Sequence, residues 1–255
     1  MMIRLSARIR RLASVSTGIA LLSGCATPRV EDPFAVAGGL FTARPGRVGF
    51  VVAAPCGTDD VNSGHLAAEI ARRTGFGLVV ASERSRPAGG SPRAGCRSQV
   101  NRPLEGLPER PPSAQGSTGT VSDRYEQRVL EAAQGPLRFY AEIRGSSRTA
   151  CAGQLSIATV GVERELALRL RALAALIQDA HLRANGEIAK LDVLIEPVDP
   201  VTSRPSGGRS DGILRLAERG LQIELPQCAR RDWRDAYTAI LSDFLAQAVM
   251  LTADR

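Results

Sequence analysis

The stretch "VVAAPCGTDD", residues 51–60, runs an apolar strand into a cysteine, a threonine and two acids. A strand that ends this way delivers polar side chains to an edge. Cys56 as a thiol nucleophile would need a neighbouring base, usually histidine, oriented by an acid. The chain carries no local Cys/His signature of that kind. Farther on, "GLQIELP" (220–226) brackets Glu224 with apolar residues. Side chains alternate along a strand, so Gln222 and Glu224 share one face while Leu221, Ile223 and Leu225 share the other. An acid in apolar surroundings tends to a raised pKa and suits a general base. Its structural alternative is an ion pair with one of the many arginines.

The elements that must position these residues follow from hydrophobic period. "RVGFVVAA" (47–54) has too few polar interruptions for a half-exposed strand and predicts a central one covered on both faces. "NSGHLAAEIARRTG" then predicts a helix stopped by Gly75, and "FGLVVAS" a second strand. Strand, helix, strand at this spacing implies a parallel crossover. "SDRYEQRVLEAAQG" predicts a helix with Asp123 and Glu126 near its start. "PLRFYAEIRG" and "QLSIATVG" predict strands. Residues 162–184 form a helix through Leu166, Leu170, Leu173, Ile177 and Ala180. "LDVLIEP" and "GLQIELP" add two strands, and the chain closes on a helix with Trp233, Tyr237, Ile240, Phe244 and Leu251 on its buried stripe. Residues 83–121, rich in Pro, Gly, Ser and Arg, predict one long loop.

Six strands alternating with three or four helices predict an α/β fold, a three-layer αβα sandwich around a mostly parallel or mixed sheet. Ligands of such sheets gather at strand carboxyl ends. Four ends therefore qualify: Pro55 to Asp59, Glu142 to Gly145, Pro197, and Glu224 to Pro226.

The N-terminus predicts a location. Arg4, Arg8, Arg10 and Arg11 precede a short apolar stretch that ends in "LLSGC", so residues 1–24 read as a secretory signal. That ending resembles the bacterial lipoprotein signal, which implies an acyl anchor on Cys25, a tether over 25–46 and a domain over 47–255. The expected location is the cell envelope, lipid-anchored and facing the periplasm in a Gram-negative cell. The formal charge of +7 includes those four arginines, and without them it is about +3. Lys190 is the only lysine, and no dense basic run is interleaved with aromatics. Nucleic acid is not an expected partner. In an oxidising compartment Cys56, Cys96, Cys151 and Cys228 can form disulfides in three pairings. Cys96 with Cys151 is the first pairing to consider, which leaves Cys56 and Cys228 free or paired. No CxxC occurs, which argues against a zinc knuckle.

Read in order, "APCGTDD", "VNRPLEG", "PLRFYAEIRG" with "LSIATVG", and "GLQIELP" resemble the N-formylglutamate amidohydrolase family, relatives of the zinc carboxypeptidases. The resemblance spans about residues 47–245. It implies zinc held by a histidine, an acid three residues later and a second histidine, with a late-strand glutamate as base and an arginine for substrate. Cys56 stands at the first histidine's place and Asp59 at the acid's. Arg144 replaces the second histidine, Arg102 matches the substrate arginine and Glu224 the base.

Cysteine and aspartate both bind zinc, but a guanidinium has no lone pair to give. His65 and His181 lie on predicted helices away from the family positions. A catalytic zinc needs three protein ligands and an open place for water, so no cofactor is expected unless the site still functions with zinc. Arg144 instead returns positive charge to a pocket holding Asp59, Glu224 and, if strand parity holds, Glu142. With Arg102 it can hold an anion. The expected function is a degenerate, weakly active or non-catalytic lipoprotein that binds a small acidic ligand or peptide. The alternatives are an active zinc amidohydrolase, acting on an N-acyl amino acid, acidic peptide or cell-wall fragment, and a purely structural envelope protein.

Overall fold

The computed structural model describes residues 41–57, 60–81, 121–146, 153–201 and 212–253. All belong to the second of two compact units, Pro33–Arg255; the first, Met1–Asp32, lies outside the described residues. Also outside them lie Cys25, Asp59, Cys96, Arg102, Cys151 and nearly all of the predicted long loop.

Seven strands form one sheet: β1 (Phe41–Arg44), β2 (Arg47–Ala54), β3 (Phe76–Ala81), β4 (Phe139–Gly145), β5 (Gln154–Val160), β6 (Asp192–Ile195) and β7 (Arg219–Leu225). Their order is β1-β3-β2-β4-β7-β5-β6. β2, β3, β4 and β7 run parallel, β1 is antiparallel to β3, and β5 is antiparallel to β7 and parallel to β6. The sheet is mixed, and the fold is the expected αβα sandwich.

Helices α1 (Ser63–Thr74), α3 (Arg164–Leu182) and α5 (Arg234–Ala253) cover one face. Helix α2 (Val121–Ala133) and a 3₁₀ turn, Ile213–Leu216, cover the other. A short α4 (Gln227–Arg230) follows β7. Gly75 ends α1 at φ 74° and donates its N–H to the Ala71 carbonyl, a left-handed cap that a side chain would strain. Among the described residues, no helix is long and apolar enough to cross a membrane.

The first face is dry: Val52, Leu78, Phe139, Ile143, Ile157, Ile223 and the inner sides of α1, α3 and α5 form one continuous cluster. On α5 the buried stripe is wider than period alone predicted, adding Leu241, Leu245 and Ala248 to Tyr237, Ile240 and Phe244. The helix is clasped by both α1 and α3, so two of its flanks meet apolar partners. On α3, Ala180 is exposed and Ala174 buried in its place.

Two expectations change. The tether predicted over 25–46 enters the sheet at Phe41, because β1 pairs along β3 from Phe41↔Ala81 to Arg44↔Leu78. Four residues of mixed polarity carry too little pattern to reveal an edge strand. Pro197 leaves the set of converging strand ends, because β6 follows the direction of β5 and opposes β7.

Candidate functional site at the strand ends

Strand β4 builds the centre. Tyr140, Glu142 and Arg144 alternate with Phe139, Ala141 and Ile143, so the three polar side chains face α2 and the three apolar ones face the dry cluster. Glu142 is wholly buried and Arg144 is 9% exposed. Arg144 Nε donates to Glu142 Oε1 in a close ion pair. Burial pulls the Arg144 pKa down, but the charge and hydrogen bond of Glu142 outweigh it and leave it raised. The guanidinium is permanently charged here.

A second chain of contacts reaches Glu142 from the helix side. The hydroxyls of Tyr125, on α2, and Tyr140 lie 2.8 Å apart, and Tyr140 donates to Glu142 Oε2 at 3.4 Å. Both rings are fully buried. Burial, first of all, raises both tyrosine pKa values, so both remain protonated donors.

Strand β7 lies beside β4 in register, with Glu142 opposite Gln222 and Arg144 opposite Glu224. Glu224 is half-buried and faces Ser156 on its other side. The structure thus brings Arg144 and Glu224 together as neighbours on one sheet face, with Glu142 on that face as strand parity required.

The third strand end is tied to these by a residue that sequence reasoning missed. Arg230, on α4, is 5% exposed. Its Nε donates to the Leu225 carbonyl at 3.2 Å and its Nη1 to the Val61 carbonyl at 2.7 Å. Asn62 Nδ2 returns a bond to the Arg230 carbonyl at 2.8 Å. Burial lowers the Arg230 pKa, against the charges of Asp60 and Glu224. Asp60 also reaches this strand end: its Oδ2 accepts the Gly145 N–H at 2.8 Å. Gly145 leaves room for the Arg230 guanidinium, whose carbon would lie 2.5 Å from a Cβ there, so a side chain at 145 would push the guanidinium aside. No sequence signal marks Arg230, because α4 is a single turn without a period. Tyr140 was findable, standing two residues before Glu142 on a predicted strand.

Cys56 is 3% exposed and disulfide-bonded, as is Cys228. The expectation that Cys56 offers a thiolate to a metal is therefore corrected for this oxidised form: a disulfide sulfur carries no thiolate charge. His181 is exposed, its Nε2 2.7 Å from Asp243 Oδ2 between α3 and α5. His65 is half-buried on α1. Among the described residues no group of three or more His, Cys, Asp or Glu gathers as a metal centre. A guanidinium already paired to Glu142, together with an oxidised Cys56, does not fit a three-ligand zinc site.

No protein-family model matches the sequence, and no curated protein matches it. Solved structures do. A bacteriophage poly-gamma-glutamate hydrolase is 12% identical, with a TM-score of 0.46 over 86% of this chain and 93% of that one. A gene product of Agrobacterium tumefaciens is 12% identical, with a TM-score of 0.39 over 85% and 97%. A candidate metallopeptidase from Shewanella amazonensis is 13% identical, with a TM-score of 0.38 over 82% and 81%. At such identities and scores they assign no activity to this chain.

Proposed function

We propose that the chain is an envelope lipoprotein whose domain, similar in its motifs to N-formylglutamate amidohydrolases, binds a small carboxylate-bearing ligand without hydrolysing it. One observation carries the reading. Arg144, at the position where the resemblance places a zinc-binding histidine, is a buried guanidinium paired to Glu142 and set beside Glu224. A cation fixed among carboxylates replaces the charge of a metal but cannot polarise water as a Lewis acid does. Arg102, matched to the family's substrate arginine, supplies the anion contact in this reading. Glu224, deprived of a metal-bound water to deprotonate, serves as a polar wall of the site.

Metal analysis and ligand-induced stabilisation test this together. Purified protein is expected to hold far less than one zinc per chain. A panel of small dicarboxylates and acidic peptides is expected to raise its melting temperature, because a ligand that binds only the folded state stabilises it. Arg102→Ala removes the rise. One tightly held zinc per chain, with amide hydrolysis lost in Glu224→Gln, would instead establish the active hydrolase.

A further inference from the structure

The amino-terminal edge of the sheet, opposite the candidate site, gathers positive charge. Arg47 opens β2 and Arg138 directly precedes β4, while Arg44 ends β1 at the same edge because that strand runs the other way. Arg73, in the last turn of α1, completes the group. Backbone bonds hold these segments together: the Arg47 N–H donates to the Gly75 carbonyl at 2.7 Å and the Arg138 N–H to the Gly49 carbonyl at 2.9 Å. All four arginines are exposed, and none forms a salt bridge with a described carboxylate, whereas Arg72, Arg128, Arg171, Arg215 and Arg234 each meet one within 3.5 Å. Glu69 and Glu131, the acids in the last two turns of α1 and α2, are taken by Arg72 and Arg128. Glu163, Glu165 and Glu218 stand farther along the edge, on the β7–β5 side with Arg164 and Arg219.

Two of the four side chains are braced without being neutralised. The Arg47 guanidinium carbon lies 4.1 Å from the centre of the Phe50 ring, a contact that orients the cation and leaves its charge free for an anion. Arg138 lays its stem across Gly49, its Cγ 3.1 Å from where a Cβ of that residue would stand. Next to Arg47, Val48 is 57% exposed. Arginines around an exposed aliphatic side chain suit a surface that is anionic outside and apolar beneath.

We infer that this edge docks on anionic phospholipid headgroups, so that the strand carboxyl ends face away from the bilayer. The inference rests on the envelope-lipoprotein reading above and adds an orientation to it. Phe41 lies at the site end of the sheet, opposite Ala81, so the chain from an acylated Cys25 must reach past the sheet. Residues 26–40 span at most about 50 Å when extended, against about 26 Å for the eight residues of β2. Each basic side chain held at an anionic bilayer surface strengthens binding about fivefold, and an anchored domain needs only enough of this to favour one orientation.

The test uses the full processed, acylated chain in phosphatidylcholine vesicles with and without phosphatidylglycerol, their acyl chains brominated to quench indole fluorescence. Trp233, the only tryptophan, follows β7 at the site end, and Val48→Trp adds a second reporter at the docking edge. Quenching is expected in Val48→Trp and not in the wild type, at least about fivefold stronger with phosphatidylglycerol than without, and lost in about 1 M salt. Adding Arg47→Glu and Arg138→Glu should abolish it, whereas Arg47→Lys with Arg138→Lys, which keeps the charge, should retain it. Equal quenching in the two vesicles, quenching of Trp233 in the wild type, or loss in the lysine variant overturns the inference. Chains that float with the vesicles but show no quenching at position 48 overturn it too and leave the lipoprotein reading intact. Binding of soluble polyphosphate through these arginines, with no response to phosphatidylglycerol, would assign the patch to an acidic polymer and also overturns it. If mass spectrometry finds no acyl chain on Cys25, the lipoprotein reading falls and the inference falls with it.

Discussion

The two faces of the sheet are made by the same strands under different physics. On the face under α1, α3 and α5, β4 and β7 contribute Phe139, Ala141, Ile143, Leu221, Ile223 and Leu225, and nothing charged enters the cluster. On the face under α2 the alternate residues are Tyr140, Glu142, Arg144, Gln222 and Glu224. The first face is non-directional and tolerates any packing that excludes water. The second depends on the pairing of its charged groups, since removing one member of a buried charged pair leaves the other desolvated. Polar side chains are concentrated where three parallel strands end, and that is where a site is built.

The sharpest break of this contrast is a change at the charged pair. Glu142→Leu strands the Arg144 guanidinium and is expected to cost about 3–5 kcal/mol in urea unfolding. Adding Arg144→Met should recover most of that loss, because replacing both partners by apolar groups is often neutral or better. Full additivity of the two losses would show that the residues act separately. On the dry face, Leu170, fully buried on α3, should cost about 2–5 kcal/mol as Leu170→Ala, with no second change that rescues it and no effect on ligand binding.

The smallest effect is a pH dependence. Tyr125, Tyr140 and Tyr237 are the three tyrosines of the chain, and burial raises the pKa of each. The unfolded chain releases these protons at about pH 10, while the folded chain retains them. Their contribution to stability is therefore complete below that pH and is lost as pH rises above it. Tyrosinate absorbance should remain flat through pH 10 and rise only with unfolding. A smooth titration in the native protein would place at least one tyrosine in contact with water.

Much of the molecule was legible in the chain. β2 occupies the residues predicted for it, and Gly75 closes α1 where a stop was expected. Alternation put Glu142 and Arg144 on one face of β4, the resemblance put Arg144 and Glu224 at one site, and the strand register sets Arg144 opposite Glu224. β1 escaped because an edge strand of four residues has no period to show. The Arg230 clasp escaped because its partners, Val61 and Asn62, are over a hundred and sixty residues away in sequence.

What the sequence determined by itself is therefore most of the elements and which residues share a side of each strand. Both follow from local regularities, the period of a strand or helix and the conformational freedom of glycine. Tertiary structure alone decided that β5 and β6 run against β7, that Arg230 binds two strand ends together, that Cys56 is oxidised, and that Gln222 is buried without a partner. Strand direction and long-range hydrogen bonds depend on which distant segments meet, and no local pattern encodes that meeting.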